Sequence, residues 1–132
     1  MKYKFLEHTA DAKFQAFGKT LEEKFANAAL AMFSIMVDTK KVKPLIEKKI
    51  NIKGEDKKSL LYNFLEELLF LLDTKSFLLN KVKKIKIENN SLKAIVVGDF
   101  VKEEYKLLGE VKAVTYNDME ITNTFVQVVV DL

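Results

Sequence analysis

Four groups of residues in this chain could do chemistry by their type and spacing. His8 and Asp11 flank Thr9-Ala10. In a corner between two strands, both side chains could face one cleft. Asp is also a favoured turn residue, because its carboxylate bonds its own backbone, and that plainer role is the commoner one. At the other end, the apolar run Val128-Val129-Val130 leads into Asp131-Leu132, so a strand ends on a carboxylate beside the terminal carboxylate of the chain. Two such groups repel unless a cation lies between them. Hard carboxylate oxygens suit calcium or magnesium, not zinc or copper. The plainer reading is a frayed terminus in water.

Lys112 interrupts a small apolar stretch, Val111-Lys112-Ala113-Val114-Thr115-Tyr116. In an extended chain it shares a face with Val114 and Tyr116. Lys is rarely buried unpaired, so it is either a phosphate or carboxylate contact or the solvent face of an edge strand. The fourth group is Lys81, Lys83, Lys84 and Lys86. These could track an RNA backbone electrostatically, but no stacking aromatics are interleaved with them. The stretch reads as a solvated strand face.

Composition narrows what these groups can do. The 132 residues include 22 basic ones, all Lys, with no Cys, no Trp and one His. Thiolate chemistry, disulfides, zinc ribbons and iron–sulfur ligation are excluded. A multi-His metal centre is excluded, and any Ser–His–Asp triad would have to use His8. Without Arg there is no planar bidentate fork for phosphate and no arginine finger in cis. Four scattered Gly cannot build a phosphate-cradling loop. The net charge of +3 permits RNA binding without arguing for it. The N-terminal residues lack the apolar core of a secretory signal. The greasiest run, Leu60 to Leu72, is broken by Asn63, Glu66 and Glu67, well short of the ~20 apolar residues that span a bilayer. A cytoplasmic protein with no membrane partner is expected.

The elements that must position these groups follow from periodicity. Alternation at Tyr3/Phe5 and at Phe14/Ala16 predicts two short strands flanking the His8–Asp11 corner. Thr20-Leu21-Glu22-Glu23 reads as a capping box, followed by helical spacing to about Met36. Lys40 to Lys49, holding the only Pro, reads as a loop, and Ile50/Ile52 as a strand. Leu60, Leu61, Phe64, Leu65, Leu68 and Leu72 predict a second, centrally buried helix with Asn63, Glu66 and Glu67 on its polar face. Strands are expected at 82–87 and 92–97 around an Asn-Asn turn, as a pair at 101–107 and 111–116, and at 125–130. This order predicts one α+β domain over residues 1–132, with two helices packed on a mixed, largely antiparallel sheet.

The motifs also stand in a recognisable order. Leu6-Glu7-His8-Thr9-Ala10-Asp11 is followed by Gly18-Lys19-Thr20-Leu21-Glu22-Glu23, then Ala31-Met32-Phe33 with Asp38. Leu60-Leu61-Tyr62-Asn63-Phe64-Leu65-Glu66-Glu67, Glu110-Val111-Lys112-Ala113-Val114-Thr115-Tyr116 and Val130-Asp131-Leu132 complete it. Each is short, but together they resemble archease over essentially the full chain. That resemblance implies an accessory protein for RtcB-type RNA ligases, which join a 2′,3′-cyclic phosphate or 3′-phosphate RNA end to a 5′-hydroxyl in tRNA splicing and RNA repair. It would promote GTP-dependent guanylylation of the ligase and sustain multiple turnover without catalysing ligation, and would meet RNA indirectly, through the ligase. The resemblance further implies a divalent metal, taken to be calcium in the family, with magnesium or manganese as alternatives. Its ligands would be Asp11, Asp131 and the terminal carboxylate of Leu132, with Asp38 as a nearby acidic candidate. Lys112 and His8 would serve activation of the partner. Many family members carry His directly after the Thr-Tyr pair, where this chain has Asn117. No titrating or metal-binding role carries over to that position, although an amide can still donate and accept hydrogen bonds. A small RNA-binding or chaperone-like module is the alternative reading.

Overall fold

Local capping sets the first helix. Thr20 has an extended backbone, and its hydroxyl accepts the Glu23 N–H at 3.1 Å. That bond satisfies one amide the first turn would otherwise leave unpaired. In the computed structural model, which describes residues 1–7 and 11–132, helix α1 spans Leu21–Ser34. It stops just short of Met36, whose N–H folds back onto the Phe33 carbonyl at 2.9 Å. The reciprocal capping box opens α2 (Lys57–Lys75). Asp56 accepts the Ser59 N–H at 2.8 Å, while the Ser59 hydroxyl accepts the Asp56 N–H at 3.1 Å. Ser therefore fills the reciprocal position more often held by Glu. Of the expected stripe of α2, Leu60, Leu61, Phe64, Leu65 and Leu68 are buried, while Leu72 is half-buried and Leu69 is buried in addition.

Among the described residues, eight strands accompany the helices: β1 (Tyr3–Leu6), β2 (Asp11–Phe17), β3 (Ile46–Lys53), β4 (Phe77–Glu88), β5 (Ser91–Phe100), β6 (Ala113–Val114), β7 (Glu120–Ile121) and β8 (Phe125–Asp131). The α+β class and both helices stand as expected, but the strands divide into two sheets. The first runs β1-β2-β8-β6, with β7 also on β8; the second runs β3-β5-β4. Each pairing among the described residues is antiparallel. The division follows from where β5 and β8 spend their edges. β5 is hydrogen-bonded by β3 and β4, and β8 by β2 on one side and β6 and β7 on the other, so neither has an edge left for the other.

Two expectations are corrected. The paired strands expected at 101–107 and 111–116 do not form; only Ala113–Val114 is extended, and it pairs with β8. The apolar alternation there misleads because Leu107 and Leu108 are exposed. The segment is tied down by polar contacts instead, with the Leu108 N–H donating to the Met36 carbonyl at 2.8 Å. The loop expected through Lys49 is shorter, since a 3-10 turn occupies Thr39–Lys41 and β3 begins at Ile46. The Asn89-Asn90 turn joins β4 to β5 as expected, with Glu88 opposite Ser91 and Asn89 at φ 53°. That positive φ is one Asn tolerates better than most residues.

Both helices bridge the two sheets. α1 packs on β2 and β8 of the first sheet and on β4 of the second; α2 packs on β6 and β7 as well as β3. Phe25 and Phe64, both fully buried, stack between the helices with ring centroids 6.4 Å apart. Burying each ring contributes on the order of 1.5–3 kcal/mol. Gly98 permits the tight β4–β5 approach, because a Cβ there would collide with the Leu78 carbonyl.

Candidate functional site

The sheet register decides which of the sequence candidates meet. β2 and β8 pair so that Asp11 lies directly opposite Asp131, seven positions being matched through Phe17 and Phe125. Directly opposed residues share a face, with Cβ atoms roughly 4.5–5.5 Å apart. Carboxylates from the two ends of the chain are thus brought together. Both residues are half-buried, which weakens the screening of their repulsion. On the other edge of β8, Asp131 pairs with Ala113, and the Lys112 N–H donates to the Asp131 carbonyl at 2.8 Å. Leu132 follows, half-exposed.

Lys112 reaches this end of the sheet through its backbone, while its side chain has a different setting. It is exposed, whereas Val111 and Val114 on either side are buried. The regular alternation expected for Lys112, Val114 and Tyr116 is therefore broken. The Lys112 side chain borders a hollow of about 420 Å³ on the polar side of α2, beside Asn63, Glu66, Glu67, Phe70 and Asp73. Positions 63, 66, 67 and 70 lie at i, i+3, i+4 and i+7, one face of a helix. The sequence pattern already marks three of them as polar, but only the fold places them beside Lys112.

Tyr116 stacks on Tyr62 at 4.4 Å between centroids and 8° between planes. The Tyr62 hydroxyl donates to Glu66 at 3.2 Å. Burial pushes the Tyr62 phenol up, and the Glu66 carboxylate adds to that; burial likewise pushes Tyr116 up, reinforced by Asp56 and Glu55. Both phenols stay protonated at neutral pH and act as hydrogen-bonding and stacking groups, not as bases. This pair joins α2 to the segment after β6, and no pattern along the chain signals it.

The remaining candidates are placed as follows. Asp38 caps the 3-10 turn, accepting the Lys40 N–H at 3.2 Å. The Asn117 N–H donates to the Thr115 hydroxyl at 3.2 Å, and that hydroxyl donates to the Val129 carbonyl at 2.8 Å. The next residue, Asp118, adopts φ 50° and forms a 3.4 Å ion pair with Lys13 of β2. His8, with Thr9 and Ala10, lies outside the described residues. Among the described residues, no three His, Asp or Glu side chains gather tightly enough to hold a metal by themselves. No helix among them is long and apolar enough to cross a membrane.

A buried cluster that sequence reasoning missed lies at the end of β5. Asp99 is 2 % exposed; it accepts the Tyr105 hydroxyl at 2.6 Å and the Phe100 N–H at 2.8 Å, and pairs with Lys102 at 3.0 Å. The Tyr105 bond leads in holding the Asp99 carboxyl below its ordinary value, with Lys102 and the Phe100 N–H adding to it against the opposing effect of burial. The Tyr105 hydroxyl in turn accepts the Lys43 N–H at 3.1 Å. These bonds fasten the 101–112 segment that leads to Lys112. Asp three before Lys is a visible pattern, but its burial is not.

Comparison with known proteins gives concordant results. Residues 3–132 match the Archease protein family (MTH1598/TM1083). The chain is 41% identical to the protein archease of Methanosarcina barkeri over 140 aligned positions, covering 99% of this chain and 96% of that one. It is 46% identical to the protein archease of Methanothermobacter thermautotrophicus over 123 positions, covering 90% and 87%. The solution structure of protein 1598 from Methanobacterium thermoautotrophicum superposes with a TM-score of 0.83 at 39% identity, covering 99% of both chains. A crystal structure from Thermotoga maritima, described as an archease and possible chaperone, gives a TM-score of 0.57 at 25% identity over 98% of this chain and 96% of that one.

Proposed function

Because the chain belongs to the archease family, we propose that it is an accessory protein for an RtcB-type RNA ligase. It promotes the GTP-dependent guanylylation of the ligase and sustains repeated turnover in tRNA splicing and RNA repair, without joining RNA ends itself. The observation that carries this reading is the family match over residues 3–132, supported by the description of the Thermotoga maritima neighbour as a possible chaperone.

The acidic end of the first sheet is the working end in this reading. Asp11 and Asp131 oppose each other across β2 and β8, a costly arrangement for two like charges that a divalent cation would convert into an attraction. The donors are hard oxygens, so calcium fits the chemistry, and magnesium or manganese would compete. Two side-chain carboxylates are too few for a calcium shell of 6–8 oxygens. The Leu132 terminal carboxylate, backbone carbonyls and water would supply the rest; Asp38 does not gather with Asp11 and Asp131, and its carboxylate caps the 3-10 turn instead. Bound there, the cation would supply positive charge and fix the chain end to the β2 edge. Lys112, whose backbone is fastened to Asp131, presents its ammonium beside the acidic face of α2 to the partner.

The test is the rate of labelled-GMP transfer to the cognate ligase, measured with and without this chain and without RNA. The reading expects faster adduct formation with the wild type, and a loss of at least tenfold of that stimulation with Lys112→Ala. Equal rates with and without the wild-type chain would overturn it.

A further inference from the structure

The lysines that look like an ordinary solvated strand in the sequence become one wall of a basic surface in the fold. The outward face of the second sheet is built from alternate residues of β3, β5 and β4. Its register gives two adjacent rows across three strands: Lys49–Ile95–Lys84 and Asn51–Lys93–Lys86. Lys86 and Lys93 are direct cross-strand neighbours, and Glu88, paired with Lys86 at 2.8 Å, offsets part of their like charge. Strands stand about 4.8 Å apart and alternate residues about 6.7 Å apart. The four ammonium groups can therefore converge over a patch roughly 10 Å across. Between them lies a depression of about 370 Å³, with the half-buried Ile95 and the lysine stems as its floor.

The carboxylates on this face stand toward its margins and are already engaged. Glu47 pairs with Lys83 at 2.6 Å and Glu88 with Lys86 at 2.8 Å. Lys53, at the far end of β3, extends the basic field. The net charge of the whole chain is only +3, so this is a local segregation of charge and not a general excess.

We infer that this face binds the phosphodiester backbone of RNA directly. Charge complementarity selects a polyanion, and the repeated spacing of ammonium groups along and across the strands suits a chain of phosphates better than one small anion. No aromatic side chain stands among the outward residues of these rows, so the face lacks both the stacking platforms that read bases and the interfacial anchors of a membrane-surface protein. Lys offers point charges without the planar fork that reads guanine. The contact is therefore insensitive to sequence and dominated by counterion release. The choice of RNA over DNA rests on the RNA-ligase reading above. In that setting the second sheet holds the substrate while the acidic end of the first sheet addresses the ligase.

The test is fluorescence anisotropy with a labelled oligouridylate, alone and without ligase, between about 50 and 200 mM salt. The wild type is expected to bind. The triple variant K84A/K86A/K93A is expected to lose at least about tenfold in affinity and to reduce the log–log salt slope by roughly 2, at about 0.7 per phosphate contact. The variant K19A/K58A/K106A removes the same charge from exposed positions elsewhere, and is expected to bind within about twofold of the wild type. No binding by the wild type, equal losses in both triple variants, or capture by anionic phosphatidylserine vesicles without RNA binding would each overturn the inference. The RNA-free guanylylation assay separates the two readings. K84A/K86A/K93A should stimulate as the wild type does. RNA binding that persists without any stimulation would remove the ligase reading and leave this one standing.

Discussion

The two sheets share a core and differ in what they do with charge. In the first sheet, the register brings two carboxylates, Asp11 and Asp131, face to face at a half-buried end. In the second, it brings Lys86 and Lys93 face to face in the open. Both registers set like charges on neighbouring strands, with Glu88 offsetting the second at Lys86, but their settings differ. In the readings proposed above, the half-buried carboxylate pair would take a compact, multivalent cation, and the exposed, extended array of ammonium groups an extended anion. One fold thereby carries two surfaces of opposite local charge, and both helices pack on both sheets.

The largest effect is expected where the two halves are joined. Phe64→Ala removes a fully buried ring stacked on Phe25 and should cost about 3–5 kcal/mol. Urea unfolding of this variant should lose the two sheets in a single transition; a surviving transition from one sheet alone would show that they are less coupled than their shared helices suggest.

A smaller, pH-dependent effect is expected at Asp99. Its carboxyl is held below the ordinary 3.8 chiefly by the Tyr105 hydrogen bond. A depressed value means that the folded state favours the ionised form, so the stabilisation is present above about 3.8 and is lost as pH falls through the lower folded-state value. Asp99→Asn should lower Tm at pH 7 and show a shallower decline of Tm than the wild type in the acid range. Parallel acid profiles for the two proteins would refute this assignment. The same variant should leave RNA affinity unchanged, since Asp99 lies outside the lysine rows.

The smallest effect changes sign with conditions. In chelator, Asp131→Asn relieves the opposition to Asp11 and should raise stability by about 0.2–1 kcal/mol. In millimolar calcium the order should reverse, because the wild type alone gains from binding. Thermal melts of both proteins in each buffer check this, and calcium-independent melts of the wild type would remove the cation from the account.

Much of this is legible in the residues. The Thr20 cap, most of the apolar stripe of α2 and the Asn89-Asn90 turn are local signals that the structure follows, although the reciprocal capping box expected at Thr20 is found at Asp56 and Ser59 instead. Asp11, Asp131 and Lys112 can be singled out as candidates from type and position, and the motifs that hold them contribute to the family resemblance. The 101–112 segment misleads because exposed Leu107 and Leu108 mimic a strand, while a buried Asp99–Tyr105 contact does the fastening. The Tyr62–Tyr116 stack and the hollow beside Lys112 cannot be read from the chain, because each joins residues about 50 positions apart.

The sequence by itself determined the chemistry on offer: lysines without arginine, carboxylates near both ends, no thiol, and helices whose caps and stripes are encoded within a few residues. Only the tertiary structure decided which charges meet. Cross-strand register is set by how whole strands bury their faces, and a slip of one residue would turn every side chain to the opposite side. The opposition of Asp11 to Asp131, and of Lys86 to Lys93, is a property of that register and of no local pattern.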